Sequence, residues 1–223
     1  RRITLRGTLV VAQVAASVVL LVIAGLFIRG LQHAHMGDPG FDTSNMLLLD
    51  LPLSIQGYDE ARARDFYDQL TTRLEALPGV RAVTLGDMVP LGLGRQRRSI
   101  AVEGYEPRPG EDMEFDFNIV GARYFETMGI PLVRGRGFTA EDRAGSPPVV
   151  VVNEAFARRF WPGEDALGKR IRYSRDQFAE IVGIARTGKY LSLTEDPLPY
   201  VWIPFAQHYK ADMTVHVRTA GDP

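Results

Sequence analysis

The chain has 223 residues with 26 basic and 27 acidic side chains, a formal net charge of −1, so nothing draws it as a whole toward nucleic acid. It has no cysteine, which excludes disulfides, thiolate catalysis and cysteine-ligated metal but says little about compartment. Lysine occurs only at Lys169, Lys189 and Lys210, leaving few candidates for a Schiff base or a phosphate-binding ammonium.

Residues 1–8 form a short basic flank. Residues 9–28 (LVVAQVAASVVLLVIAGLFI) carry no charge, and only Gln13, Ser17 and Gly25 interrupt their apolar composition. At about 1.5 Å per residue this stretch reaches roughly 30 Å, the thickness of a bilayer's hydrocarbon core. A helix apolar on every face is not the surface helix of a soluble domain. It exceeds the apolar region of a signal peptide and has no clean Ala-x-Ala cleavage site. It also exceeds an ordinary buried core helix. The expectation is a transmembrane helix. Arg1, Arg2 and Arg6 precede it, whereas Arg29 alone follows closely, before Asp38 and Asp42. The excess of cations at the start places the N-terminus in the cytoplasm and the rest outside. Ala12 and Ala16, and Gln13 and Ser17, recur four apart and mark a face suited to packing against other membrane helices.

Residues 29–45 read as a stalk and linker, stopped by Gly37, Pro39 and Gly40. The remaining residues suffice for one large domain or two small ones. Residues 46–53 (MLLLDLPL) read as a buried strand ended by Pro52. Residues 58–77 read as a helix: Asp59 and Glu60 suit its start, Phe66, Leu70, Leu74 and Leu77 form an apolar stripe, and Pro78 and Gly79 end it. A strand at 80–85 follows, so strand, helix and strand make a βαβ-type unit. Residues 90–98 (PLGLGRQRR) are a glycine-rich loop. Strands are expected at 99–103 and 115–120, a short helix with Tyr124 and Phe125 at 122–128, and an RGRG turn within 129–138. Residues 147–152 (PPVVVV) read as a strand buried on both faces, and Asn153 as the N-cap of a helix over 154–160 that Trp161, Pro162 and Gly163 end. Further strands are expected at 169–173, 180–184, 200–204 and 213–218. The class is α+β. The chain begins with Arg and stops at Pro223, straight after a strand, so both ends read as cut from a longer polypeptide.

The chemistry of a catalyst is hard to find. No GxxxxGK[ST] phosphate cradle is present; Gly168-Lys169 is followed by Arg170. His33 and His35 form a lone H-x-H beside Asp38, short of a metal ligand set, and read as interfacial. His208 and His216 are isolated. No G-x-S-x-G elbow exists. The pairs Glu111-Asp112, Glu141-Asp142 and Glu195-Asp196 lie in turn-like contexts and read as solvated turns. Arg95, Arg97 and Arg98 make a local basic patch whose default is a solvated loop, with lipid head groups or an anionic partner as the functional alternative. Tyr124, Phe125, Phe156, Phe160 and Trp161 read as packing groups. The expectation is therefore no catalytic, cofactor or metal site.

The order and spacing of several motifs resemble a known family. These are LRGTLVVAQVAASVVLLVIAGLFIRGL (5–31), DPGFDTSN (38–45), YDEARARDFYDQLTTRLEALPGV (58–80), ARYFETMGIPLVRGRGF (122–138) and VVVVNEAFARRFWPGEDALGKRI (149–171), then EIVGIA, PYVWIPF and VRTAGDP. The most specific is 149–171, with Asn153, Phe156, Trp161, Pro162, Gly163 and Gly168 on the motif positions. The chain looks like the MacB-type periplasmic core domain of ABC transporter permeases, within the MacB-like and FtsX-like group in which such domains alternate with membrane helices. The resemblance implies a porter-like subdomain at about 46–128 and 205–223 and an inserted β-rich, sabre-like subdomain at about 129–204. It implies a bacterial inner-membrane location and a non-catalytic role coupled through membrane helices to a separate ABC ATPase. The implied partners are that ATPase, other helices of the permease, lipid and extracytoplasmic proteins; nucleic acid is not among them. Family members export macrolides or peptides, extract lipoproteins or regulate cell-wall enzymes. Two alternatives stand beside this one: a membrane-anchored hydrolase with its site in the 90–98 or Glu141-Asp142 loops, and a single-pass sensor or scaffold.

Overall fold

The structure, a computed structural model, describes residues 5–35, 38–174 and 177–222. Arg1, Arg2 and Pro223 lie outside the described residues, as do the side chains of Arg6, His33 and His35. The described chain divides into two compact units, Arg1–Asp38 and Pro39–Pro223.

The first unit is the helix α1, Leu5–His35. Within it Leu9–Gly30, 22 residues, is long and apolar enough to cross a membrane, and none of that stretch is buried by the protein itself. Ala12, Gln13, Ala16 and Ser17 all lie on it with exposed side chains.

The second unit is built on an eleven-stranded sheet. Its first strand, β1 (Met46–Pro52), pairs antiparallel with a much later strand, β11 (Asp212–Thr219). The other edge of β11 pairs antiparallel with β2 (Val80–Gly86). β1 and β2 are thus parallel to each other with β11 between them, and α2 (Glu60–Glu75) connects them: a split βαβ unit. β1 departs from expectation. Leu47, Leu48 and Leu49 remain 43, 43 and 37% exposed, because β1 sits at the sheet edge with one neighbour instead of two.

The helix α2 is capped where the sequence places its start: the Asp59 carboxylate accepts from the Arg62 N–H at 2.8 Å. Its deepest contacts are Ala63 and Tyr67, one turn apart, while Phe66, Leu70 and Leu74 pack at the margin of the core and Leu77 is exposed. The expected stripe is therefore rotated toward Tyr67. That side chain is fully buried, and its hydroxyl donates to Ala211 O at 2.8 Å, lies 3.2 Å from Leu51 O and accepts from Met213 N at 3.1 Å. It ties the end of β1 to the start of β11 from above. Burial pushes the Tyr67 hydroxyl up to about 12. Tyr67→Phe keeps the ring and removes this junction, so we expect a loss of about 1–3 kcal/mol in denaturant unfolding.

The rest of the sheet runs from β5 (Glu114–Val120) through β10 (Tyr200–Pro204), β7 (Val149–Asn153) and β9 (Ala179–Ala185) to the short β8 (Arg170–Arg172) and β4 (Ala101–Val102). β5 lies parallel to β10, β10 antiparallel to β7, and β7 parallel to β9. β3 (Arg97–Ser99) pairs with β5, and β6 (Leu132–Gly135) with β9, so the expected RGRG turn begins as a strand. β7 and β10 are buried along their whole length, as their continuous apolar runs predict. β2 and β5 meet through a single registered pair, Gly86 and Val120, the thinnest seam of the sheet. β5 falls on the far side of that seam, paired with β10, so the sheet shows no break at residue 128. The short helix α3 (Tyr124–Met128) returns to pack on β2 and β11.

Candidate functional site

The most sequence-specific motif forms the junction between β7 and the helix α4 (Glu154–Phe160). Asn153 is fully buried there in extended conformation, φ −91° and ψ 169°. Its Oδ1 accepts from Phe156 N at 2.9 Å, the expected N-cap bond. The same oxygen accepts from Tyr200 N at 3.0 Å, and Nδ2 donates to Leu198 O at 2.7 Å. One amide side chain thus starts α4 and fixes the approach of β10. Phe156 packs on Phe160 at 4.9 Å and on Phe115 at 5.1 Å between ring centroids. Trp161, the C-cap, stands 6.0 Å from Phe160. Gly163 and Gly168 have φ of +81° and +76°, and a Cβ at either would meet nothing within 4 Å. Their glycine requirement is conformational and not one of space. Pro162 lies between Trp161 and Gly163 in the turn that leaves α4. The structure thus brings Asn153, Phe156 and Trp161 together as framework.

The charged groups singled out in the sequence are held in pairs. Arg95 donates twice to Asp116, at 2.7 and 3.0 Å, and the Asp116 side chain is only 7% exposed. Arg97 bonds Asp112 at 2.5 Å and lies 3.4 Å from Glu114. The Arg98 guanidinium covers the Phe117 ring at 4.7 Å and abuts His208. The basic loop is therefore not a free solvated patch; its charges are occupied by strand β5 and its turn. Nor are the carboxylate pairs simply solvated. Asp142, buried, receives two bonds from Arg136 at 2.7 and 2.9 Å and one from Thr139 N at 2.8 Å. Burial pushes the Asp142 carboxyl up, but Arg136 and Thr139 outweigh it and leave it below the ordinary value. Arg159 at 2.9 Å, then the Arg108 N–H and the Tyr105 hydroxyl, hold the Glu111 carboxyl down at about 2. Glu195 accepts from the backbone N–H groups of Tyr190, Leu191 and Ser192 at 2.7–2.8 Å and organises its own loop. Each is a structural acceptor. Among the described residues no group of three His, Asp or Glu side chains is arranged to hold a metal ion.

Sequence reasoning missed two features. His216, isolated in the chain, is fully buried in β11, registered between Leu48 and Thr84, with Nδ1 3.1 Å from Thr214 O. Gly86 makes room for it, since a Cβ there would lie 2.8 Å from His216 Cε1. Burial lowers the imidazole to about 4, against which the Thr214 carbonyl pulls weakly upward. The second is the attachment of the segment that follows Asp38. Arg218, 13% exposed, donates from Nε to Thr127 O at 2.6 Å, from Nη1 to Asp42 Oδ2 at 2.7 Å and Ser44 O at 2.9 Å, and from Nη2 to Asp42 O at 2.8 Å. The Ser44 N–H, and after it Arg218, hold the Asp42 carboxyl below its ordinary value. Asp42 N donates to Met128 O at 2.9 Å, and Phe41 is buried beside Tyr124, Phe125 and Met128. Residues 39–45, expected as the end of a linker, belong to the packed unit. Nothing local could reveal this: Asp42 and Arg218 lie 176 positions apart.

Fold and side-chain geometry together define an α+β domain, with its charged clusters spent on structure, joined in sequence to a helix long enough to span a membrane. The chain belongs to the MacB-like periplasmic core domain family, which it matches over residues 8–222. It is 32% identical over 95 residues to the "Probable export ATP-binding/permease protein MacB" of Pseudomonas entomophila, covering 42% of this chain and 14% of that protein. The chain thus spans about one seventh of the length of that relative. The fold is similar to the periplasmic region of MacB from Actinobacillus actinomycetemcomitans, with a TM-score of 0.54 at 16% identity, covering 82% of this chain and 78% of that one.

Proposed function

We propose that this chain is part of a non-catalytic permease of an ABC-type export or mechanotransmission system, coupled through membrane helices to a separate ATPase. The observation that carries the reading is the joining, in one chain, of a MacB-like periplasmic core domain to the uncharged helix Leu9–Gly30. The arginines before the Leu9–Gly30 span favour a cytoplasmic N-terminus in a bacterial inner membrane and an outward-facing domain. Ala12, Gln13, Ala16 and Ser17 form the face for neighbouring helices of the same permease. The split βαβ of β1, α2, β2 and β11 supports a porter-like subdomain, and the β3 to β10 region a sabre-like one. A packed body on a rigid helix transmits displacement with no chemistry of its own.

The test is genetic. Disabling ATP hydrolysis in the partner ATPase is expected to reproduce the phenotype of deleting this chain's gene, while the external domain still accumulates folded. Turnover of a substrate by the purified domain, lost on replacing Glu141 or Asp142, would overturn the reading in favour of an anchored hydrolase.

A further inference from the structure

The first residues of the packed unit are fastened in two directions. One fastening runs through Asp42 to α3 and β11: Asp42 N meets Met128 O, and Arg218 bridges Asp42, Ser44 and Thr127. The other runs through Pro39 and Gly40. Pro39 O accepts from Lys189 N at 2.7 Å. Gly40, at φ +89°, lies so close to Gly188 that a Cβ would stand 2.6 Å from Gly188 Cα. A Cβ on Gly188 would in turn stand 2.8 Å from Pro39 O. From there the contacts continue. Thr187 N donates to Glu154 Oε2 at 3.1 Å, and Thr187 Oγ1 accepts from Ala155 N at 3.0 Å. This second fastening therefore ends in the first turn of α4, directly after Asn153.

We infer that residues 39–44 are a forked coupling joint, which divides a displacement arriving from the preceding helix between the α3–β11 side of the domain and the α4–β7 side. Two features support a joint over a tether. Backbone contacts too tight for a Cβ leave no slack to absorb movement. A largely covered Arg with three acceptor residues holds its partner in one geometry, because the guanidinium fork fixes direction as well as distance. The first arm reaches β11 through Arg218, on the β2 side of the seam, and the second reaches α4 on the β5 side, while α3 packs across the seam with Phe125 5.2 Å from Trp202 of β10, so unequal movement of the arms would work the seam as a hinge.

The inference rests on the permease reading, and one experiment separates the two. The full permease containing this chain, reconstituted with its ATPase, is followed by hydrogen exchange with and without ATP, in peptides covering residues 124–128 and 153–157. Wild type is expected to change exchange in both. Arg218→Gln is expected to lose the response at 124–128 and keep it at 153–157; Gly188→Ala is expected to do the reverse. Asp42→Asn and Thr187→Val, which leave Arg218 and the tight glycine contact in place, should repeat the two patterns if the first pair misfolds. Either arm responding as wild type in its own variants, or both responses vanishing together in a folded variant, would overturn the forked joint. No response to ATP in wild type would instead sink the permease reading, and the joint with it.

Discussion

Replacing Asn153 by alanine is expected to cost about 3–5 kcal/mol, a large part of the ~5–15 kcal/mol that holds a typical domain together. The side chain satisfies three backbone groups at once: Phe156 N, Tyr200 N and Leu198 O. All three lie around a residue with no exposed surface, so water cannot replace the lost partner without opening the α4–β10 junction. A capping role alone would cost only about 1 kcal/mol. The difference between the two figures therefore separates the three-way bond from a simple cap. Asn153→Asp refines this. It keeps the acceptor for Phe156 and Tyr200 but turns the donor to Leu198 into a buried negative charge facing a carbonyl. Its penalty should shrink at acid pH, where the carboxyl protonates and can donate again. Chemical denaturation of the three proteins at neutral and acid pH measures both effects.

His216 is expected to dominate the loss of stability in mildly acidic solution. In the fold its imidazole titrates at about 4, against 6.5 when exposed, so between these values the unfolded chain binds the proton and the folded one does not. Stability from this group is complete above pH 6.5, falls as the pH drops toward about 4, and levels off below. The full swing is worth about 3 kcal/mol. His208 is shifted in the same direction by burial and by the nearby cations Arg98 and Lys210, so it adds a smaller slope of the same sign. Below that window the fold is expected to lose the further contribution of carboxylates held low, such as Asp142. Unfolding free energy followed from pH 7 to 5 should therefore slope downward in wild type and much less in His216→Gln. An equal slope in the two proteins would mean that the imidazole is hydrated in the fold.

Much of this architecture is legible from local pattern, because helices and buried strands write their period into neighbouring residues. α1 is visible as an uncharged run, α2 through Asp59 and its apolar spacing, β7 as four consecutive valines, and the α4 cap through Asn153. Where the reading erred, the deciding contact was remote. The run MLLLDLP looks buried on composition, but burial needs neighbours on both sides, and β1 has only β11, which lies 160 residues downstream. Asp142, Glu111 and Glu195 sit in turns, as their neighbours suggest, yet Arg136, Arg159 and three backbone N–H groups remove them from the solvated class. Arg218 shows the same limit: nothing in VRTAG distinguishes it from a surface arginine at a strand end until Asp42, Ser44 and Thr127 are folded around it.

The orientation of the domain is the point on which the account turns, and the absence of cysteine makes it directly measurable. Leu93, fully exposed at the tip of the 90–98 loop, accepts a single cysteine without disturbing the core. In intact spheroplasts expressing Leu93→Cys, a membrane-impermeant maleimide is expected to label the chain before lysis. Labelling that appears only after the cells are broken would place the domain in the cytosol and contradict the account.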